Sequence, residues 1–140
     1  MRRRQFIAKA STVFAGVNFL PGSAWSQSPN GKLNLIHIGV GGMGGADRGA
    51  LGKHAKVNVL GLCDIDAGRL EAAKKDSKMA ETYSDYREIF EKMGDRIDAA
   101  VVSTPDHTHA PASMLALNLG KHVYCQKPLT HDVYEARQVR

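Results

Sequence analysis

Apolar residues along this chain fall into short runs, separated by polar stretches rich in glycine, proline or charge. The runs LNLIHI (33–38) and VNVLGLC (57–63) are dense in leucine, isoleucine and valine and predict buried strands. IDAAVV (97–102) and HVYC (122–125) read the same way, and 81–83 predicts a short strand. Helical signals fill the intervals. Residues 43–53 predict a short helix, and Asp66 is placed to cap a second that runs to about Lys75 through AGRLEAAKK. Asp85 is placed to cap a third, ending near Met93, with Tyr86, Ile89, Phe90 and Met93 on one face. A fourth covers 107–119 and stops at Gly120, and either Thr130 or Asp132 starts a fifth. Strands alternating with helices predict an α/β fold, a doubly wound parallel sheet with helices on both faces. With about five strands written and the last residues inside a helix, the sheet reads as truncated, the front part of a longer protein.

Residues 1–26 depart from that pattern. Arg2, Arg3 and Arg4 precede a modestly apolar stretch, 10–20, and Ala24 and Ser26 occupy the −3 and −1 positions of a signal-peptidase site. The apolar stretch is too short to span a bilayer, which takes about 20 apolar residues. Arg3-Arg4-Gln5-Phe6-Ile7 matches the twin-arginine export signal, two arginines, any residue and two apolar ones. An ordinary secretory signal or an uncleaved anchor is the alternative. The segment is therefore expected to be a twin-arginine-type signal peptide that engages the export machinery and sends a folded protein to the periplasm. Residues 27–32 (QSPNGK) read as a linker, and 33–140 as the folded domain.

Charge changes little once it is located. Four of the net +5 come from Arg2, Arg3, Arg4 and Lys9, so the rest carries only +1, and no case for nucleic acid arises. Cys63 and Cys125 stand outside any CxxC pair or ligand-spaced histidine cluster and read as small buried residues at strand ends. A disulfide would need those ends to be neighbours.

The chemistry begins at Gly39-Val40-Gly41-Gly42-Met43-Gly44, a G-x-G-x-x-G string that follows one predicted strand and opens a predicted helix. A second strand then ends in Asp64, twenty residues after Gly44. That context defines a dinucleotide-binding fingerprint of Rossmann type; a plain glycine turn is the alternative. Gly39 permits the tight turn, Gly41 lets backbone approach the pyrophosphate, and Gly44 lets helix pack on strand. Gly42 and Met43 complete the loop, whose helix N-terminus offers N–H groups to phosphates. Asp64 is placed for the adenosine ribose hydroxyls and favours NAD, with the cap of the next helix as its competing role. Arg69 is close enough to accommodate a 2′-phosphate, which keeps NADP open. Lys127 follows the carboxyl end of a strand, where ligands bind in open α/β sheets and a lysine can orient a hydroxyl; an exposed loop lysine is the alternative.

Two further stretches, Ser103-Thr104-Pro105-Asp106-His107-Thr108-His109 and Tyr124-Cys125-Gln126-Lys127-Pro128-Leu129-Thr130, follow strands. With the glycine loop, they resemble the Gfo/Idh/MocA family of glucose–fructose oxidoreductase and inositol dehydrogenase over 33–140. The resemblance implies a Rossmann domain that binds NAD or NADP, followed by an α+β substrate domain absent from this chain. It implies that Thr104, Pro105 and His109 lie against the cofactor. It also makes Lys127 the catalytic lysine that reaches the substrate hydroxyl beside the nicotinamide. The family pattern is Glu-Lys-Pro, so Gln126 is a departure that removes a carboxylate partner for the lysine. The His107-x-His109 pair has no third ligand and is assigned no metal, with Asp106 or Thr108 expected to cap the helix. The implied function is a nicotinamide-dependent oxidoreductase that holds its cofactor tightly, acts on a sugar, polyol or similar polyhydroxy compound, and is a homo-oligomer at full length. An NAD-dependent glycosidase of the same fold and a non-catalytic dinucleotide-binding module are the alternatives.

Overall fold

The computed structural model describes residues 31–140; the expected export signal and most of the linker lie outside them. In chain order the elements are β1 (Leu33–Ile38), α1 (Met43–Leu51), β2 (Val57–Cys63), α2 (Ala67–Asp76) and β3 (Glu81–Tyr83). They continue with α3 (Tyr86–Met93), β4 (Ala99–Val102), α4 (His109–Asn118), β5 (His122–Cys125) and α5 (Val133–Val139). The five strands form one parallel sheet in the order β3-β2-β1-β4-β5. Ile38 at the end of β1 lies level with Cys63 on β2 and Val102 on β4, and Val102 lies level with Cys125 on β5.

Alternation along β1 divides the core between the two faces, because successive strand residues point to opposite sides. Ile36 and Ile38 pack with Ile89, Phe90 and Met93 of α3 and Ala112 and Ala116 of α4. Leu35 points the other way, with Ala99 and Val101 and the end of α1 at Leu51. Both faces are thus covered, as the continuous apolar strands require.

The caps follow local chemistry. Asp66, Asp85 and Asp132 accept from the backbone N–H groups of Arg69, Arg87 and Glu135, so Asp132 rather than Thr130 starts α5. Three boundaries differ from expectation. α1 ends at Leu51, two residues early, with Gly52 as its cap. β4 begins at Ala99, not at residue 97, because a 3₁₀ turn occupies Gly94–Arg96 and the Asp98 carboxylate turns back to accept from the backbone N–H of Asn34 at 2.7 Å. α4 begins at His109 after a 3₁₀ turn over Asp106–Thr108, and no side chain caps it: Asp106 accepts from its neighbour His107 instead. Pro111 sits in the first turn of α4, where a missing N–H costs nothing.

The cysteines are both free. β1 and β4 stand between their strands, which at about 4.8 Å per strand step separates the ends by roughly 14 Å, beyond disulfide reach. Cys63 is buried as expected, whereas Cys125 is only half-buried.

Candidate dinucleotide site

The sheet order reverses at β1, whose successors in the chain lie first on one side and then, from β4, on the other. Diverging connections at such a switch point leave a crevice beyond the strand ends. Here it is a cleft of about 400 Å³, lined among others by Gly39, Gly41, Asp64, Arg69, Thr104 and Pro105. Six of the residues singled out from the sequence therefore meet in one place, brought there by three different strands.

The glycines earn their positions sterically. Gly39 has φ +85°, and a Cβ there would lie 2.6 Å from the carbonyl oxygen of Ser103. A Cβ on Gly44 would collide with the carbonyl of Gly39, so helix and strand can meet at this distance only without one. Gly42 caps α1 with no side-chain partner, and the first turn holds no acid. Among the described residues, none accepts from the backbone N–H of Gly41, Gly42 or Met43. Three unclaimed donors at the positive end of a helix dipole suit an anion. Met43 itself projects into solvent, 61% exposed.

Space above Gly41 is partly taken by Arg69, whose Cδ would be 2.5 Å from a Cβ on the glycine. This side chain is exposed and lies 3.6 Å from the Asp66 carboxylate, so it can swing aside or stay as a cation beside the phosphates. A cradle that a Cβ would fill, three free N–H groups and the buried, unpartnered Thr104 hydroxyl together fit a dinucleotide pyrophosphate.

Asp64 is buried at the end of β2 and lines the same cleft. One carboxylate oxygen accepts from the N–H of Val40 at 3.0 Å and the other from the N–H of Asp66 at 3.0 Å. It thus clamps the glycine loop to the start of the second crossover, while the cap of α2 falls to Asp66. Each oxygen retains acceptor capacity for a further hydrogen bond, such as one from a ribose hydroxyl.

The remaining assignments separate. Thr104 and Pro105 line the cleft, but His109 does not. His109 is 2% exposed, and its ring nitrogens lie 2.6 Å from the carbonyl of Pro128 and 2.7 Å from that of Thr104. Its neighbours His107 and Thr108 reach the cleft instead. Lys127 is exposed beyond β5, adjoins a cis peptide bond to Pro128, and does not line this cleft. Gln126 points away from Lys127: its Nε2 donates to the Asp47 carboxylate at 2.8 and 3.0 Å. Sequence reasoning missed Asp47 and the far wall of the cleft, Ser84 to Arg87, since neither carries a motif.

Two buried groups have displaced acidities. His37 on β1 is held down to about 4, chiefly by burial and then by the Arg48 guanidinium, and both ring nitrogens lack partners among the described residues. Cys63 is pushed up to about 12, first by burial and then by the charges of Asp85, Asp64 and Glu88. Outside the cleft, His131, Asp132 and Glu135 bring ligand-type atoms within 4.8 Å of one another. All three are exposed or nearly so, with Asp132 capping α5 and Glu135 accepting from the N–H of His131.

A parallel sheet in this order, with a glycine cradle and an acid at its switch point, defines a Rossmann-type dinucleotide-binding domain. Residues 33–140 match the model of the Gfo/Idh/MocA oxidoreductase family, NAD-binding Rossmann fold, and the chain belongs to that family. It is 34% identical over 105 residues to an inositol 2-dehydrogenase of Rubrobacter xylanophilus, covering 73% of this chain and 29% of that one. It is 34% identical over 138 residues to a glycosyl hydrolase family 109 protein of Stenotrophomonas maltophilia, covering 90% and 29%. The structure superposes on myo-inositol 2-dehydrogenase from Lactobacillus plantarum with a TM-score of 0.70 at 29% identity, covering 77% of this chain and 32% of that one. The chain thus spans about a quarter to a third of the length of these relatives.

Proposed function

We propose that this chain is the cofactor-binding part of an NAD-dependent oxidoreductase that acts on a polyol, sugar or related polyhydroxy compound. The observation that carries the reading is the cleft at the switch point, where Gly39, Gly41 and Asp64 converge, next in the chain to the N-terminus of α1. Gly41, Gly42 and Met43 would receive the pyrophosphate, Asp64 the ribose hydroxyls, and Thr104 and Pro105 the side facing β4. A bound nicotinamide would supply hydride transfer. The buried carboxylate of Asp64 favours NAD, because it repels a 2′-phosphate; Arg69 is the residue that would relax this preference. Inositol dehydrogenases among the relatives support a polyol as the substrate class. Lys127 would orient the substrate hydroxyl and exchange its proton once a substrate domain closes over β5.

Export by the twin-arginine-like start at Arg3 and Arg4 belongs to the same reading, as does assembly into a homo-oligomer. A compartment outside the cytoplasmic membrane has no ready pool of free nicotinamide, so the exported protein would retain its cofactor through many turnovers. One observation favours a second reading. The similarity to a glycosyl hydrolase family 109 protein runs over 138 residues, more of this chain than the dehydrogenase match covers. Under that reading, transient oxidation by held NAD would cleave a glycoside with no net redox change.

Titration of the protein with NADH and NADPH tests the binding claim: saturable NADH binding, tighter than NADPH, is expected, and no binding of either would overturn it. In the complete protein, incubation with NAD and a polyol separates the activities. Stoichiometric NADH formation supports the dehydrogenase. Release of aglycone from an aryl glycoside with no net NADH supports the glycosidase.

A further inference from the structure

Asp47 lies on α1, three residues beyond Gly44, and its carboxylate is the meeting point of two distant loops. Its Oδ2 accepts from the Ser103 hydroxyl at 2.7 Å, and both oxygens accept from Gln126 Nε2, at 2.8 and 3.0 Å. These partners stand 56 and 79 residues away in the chain. Ser103 immediately precedes Thr104-Pro105 in the cleft wall, and Gln126 immediately precedes Lys127. The same loops also meet at His109, whose ring nitrogens lie within hydrogen-bond distance of the carbonyls of Thr104 and Pro128, so that the ring N–H donates to one of them.

We propose that Asp47 is a positioning residue: it fastens the Thr104 loop and the Lys127 loop to the helix whose N-terminus receives the dinucleotide, so that one element sets both the cofactor and the lysine. The proposal rests on the dinucleotide reading above. The chemistry dictates the residue types. An ionised carboxylate only accepts, so it needs neutral donors, and a hydroxyl and a carboxamide supply them. A glutamate at 126 would bring a second acceptor-only carboxylate to within about 3 Å of the first, replacing a bond by repulsion. Gln126 thus answers to Asp47 on α1 rather than to its neighbour Lys127, and its departure from Glu-Lys-Pro has a partner elsewhere in the chain.

The test is a reciprocal exchange in the full chain: Gln126→Glu, Asp47→Asn with Gln126→Glu, and Gln126→Ala, which deletes the donor without adding charge. Deuterium exchange is followed in peptides covering 103–108 and 126–131, alongside NADH affinity. Gln126→Glu is expected to speed exchange in both peptides by about tenfold, the weight of a lost charge-assisted hydrogen bond, while peptides of α3 stay unchanged. The double variant restores a carboxylate–carboxamide pair in reverse and is expected to return exchange to the parental rate. Should Gln126→Glu not fold, Gln126→Ala against the double variant reads the same contrast. Equal exchange in all variants, or failure of the double variant to rescue, overturns the clamp. Because exchange is read with or without NADH, a chain that binds no NADH refutes the functional reading alone and leaves this outcome to be decided on the peptides.

Discussion

Replacing Gly44 by alanine places a methyl carbon far inside van der Waals contact distance of the Gly39 carbonyl oxygen, 2.8 Å from its carbonyl carbon and 3.2 Å from Ser103 Cβ. The first two are backbone atoms of the turn that leaves β1, so no side-chain rotation relieves them. Either the start of α1 slides away from β1 or the turn deforms. Forced overpacking of this kind costs about 1–3 kcal/mol, against a gain of up to about 1 kcal/mol from replacing glycine by alanine in a helix. The net expectation is a loss of roughly 1–2 kcal/mol. Gly49 provides the control within the same helix, since a Cβ there meets nothing within 4 Å. Gly49→Ala is therefore expected to stabilise by up to about 1 kcal/mol. Urea unfolding followed by circular dichroism measures both; at a slope of about 1–3 kcal/mol per molar urea, the two midpoints should separate by roughly 1 M or more, with the parent between them. Coincident midpoints, or a Gly44→Ala midpoint above the parent, would refute the claim that close helix–strand approach needs this glycine.

Other consequences are as direct. A Cβ at Gly41 meets first the exposed Arg69 side chain, so Gly41→Val should shift the urea midpoint little yet abolish saturable NADH binding; unchanged affinity would remove Gly41 from the cradle. His37 has a folded value of about 4 against 6.5 when unfolded, so the unfolded chain binds the extra proton between these values. Stability is then full above pH 6.5 and falls as the pH drops towards 4, by about 2 kcal/mol between pH 7 and pH 5. His37→Leu should flatten that part of the urea-midpoint profile, and an identical slope in both proteins would count against the assignment. Lys127→Ala in the complete protein should lower the chemical step by about 10²–10⁴-fold with little change in NADH affinity, measured by single turnover. A thiol titration of the native chain at pH 8 should find Cys63 unreactive until denaturant is added, its thiolate form being disfavoured by burial.

Much of the fold was legible because its signals are local. The runs at 33–38, 57–63, 81–83 and 122–125 became strands with the expected limits, since an apolar run of that length has few other ways to bury itself. Asp66 and Asp85 were readable as caps because a cap depends on residues two or three positions away. The cradle was readable for a related reason: its turn, its helix N-terminus and the acid ending the next strand lie within one βαβ unit. Where local signals were weak, boundaries moved. Asp98 accepts from Asn34 on β1, and a 3₁₀ turn over Asp106–Thr108 precedes α4, which starts two residues later than expected.

By itself the sequence determined the alternation of strands and helices, the parallel sheet, the glycine loop and the family pattern, all properties of short contiguous segments. Only the tertiary structure decided which strand ends are neighbours, and with that the fate of single side chains. The order β3-β2-β1-β4-β5 set Cys63 apart from Cys125 and assembled the cleft from four strand ends. It also brought Gln126 to Asp47 across 79 residues. Hydrogen bonds of that span depend on the register and packing of whole elements, which periodicity does not encode, so the partner of Gln126 becomes visible only when the sheet has closed around α1.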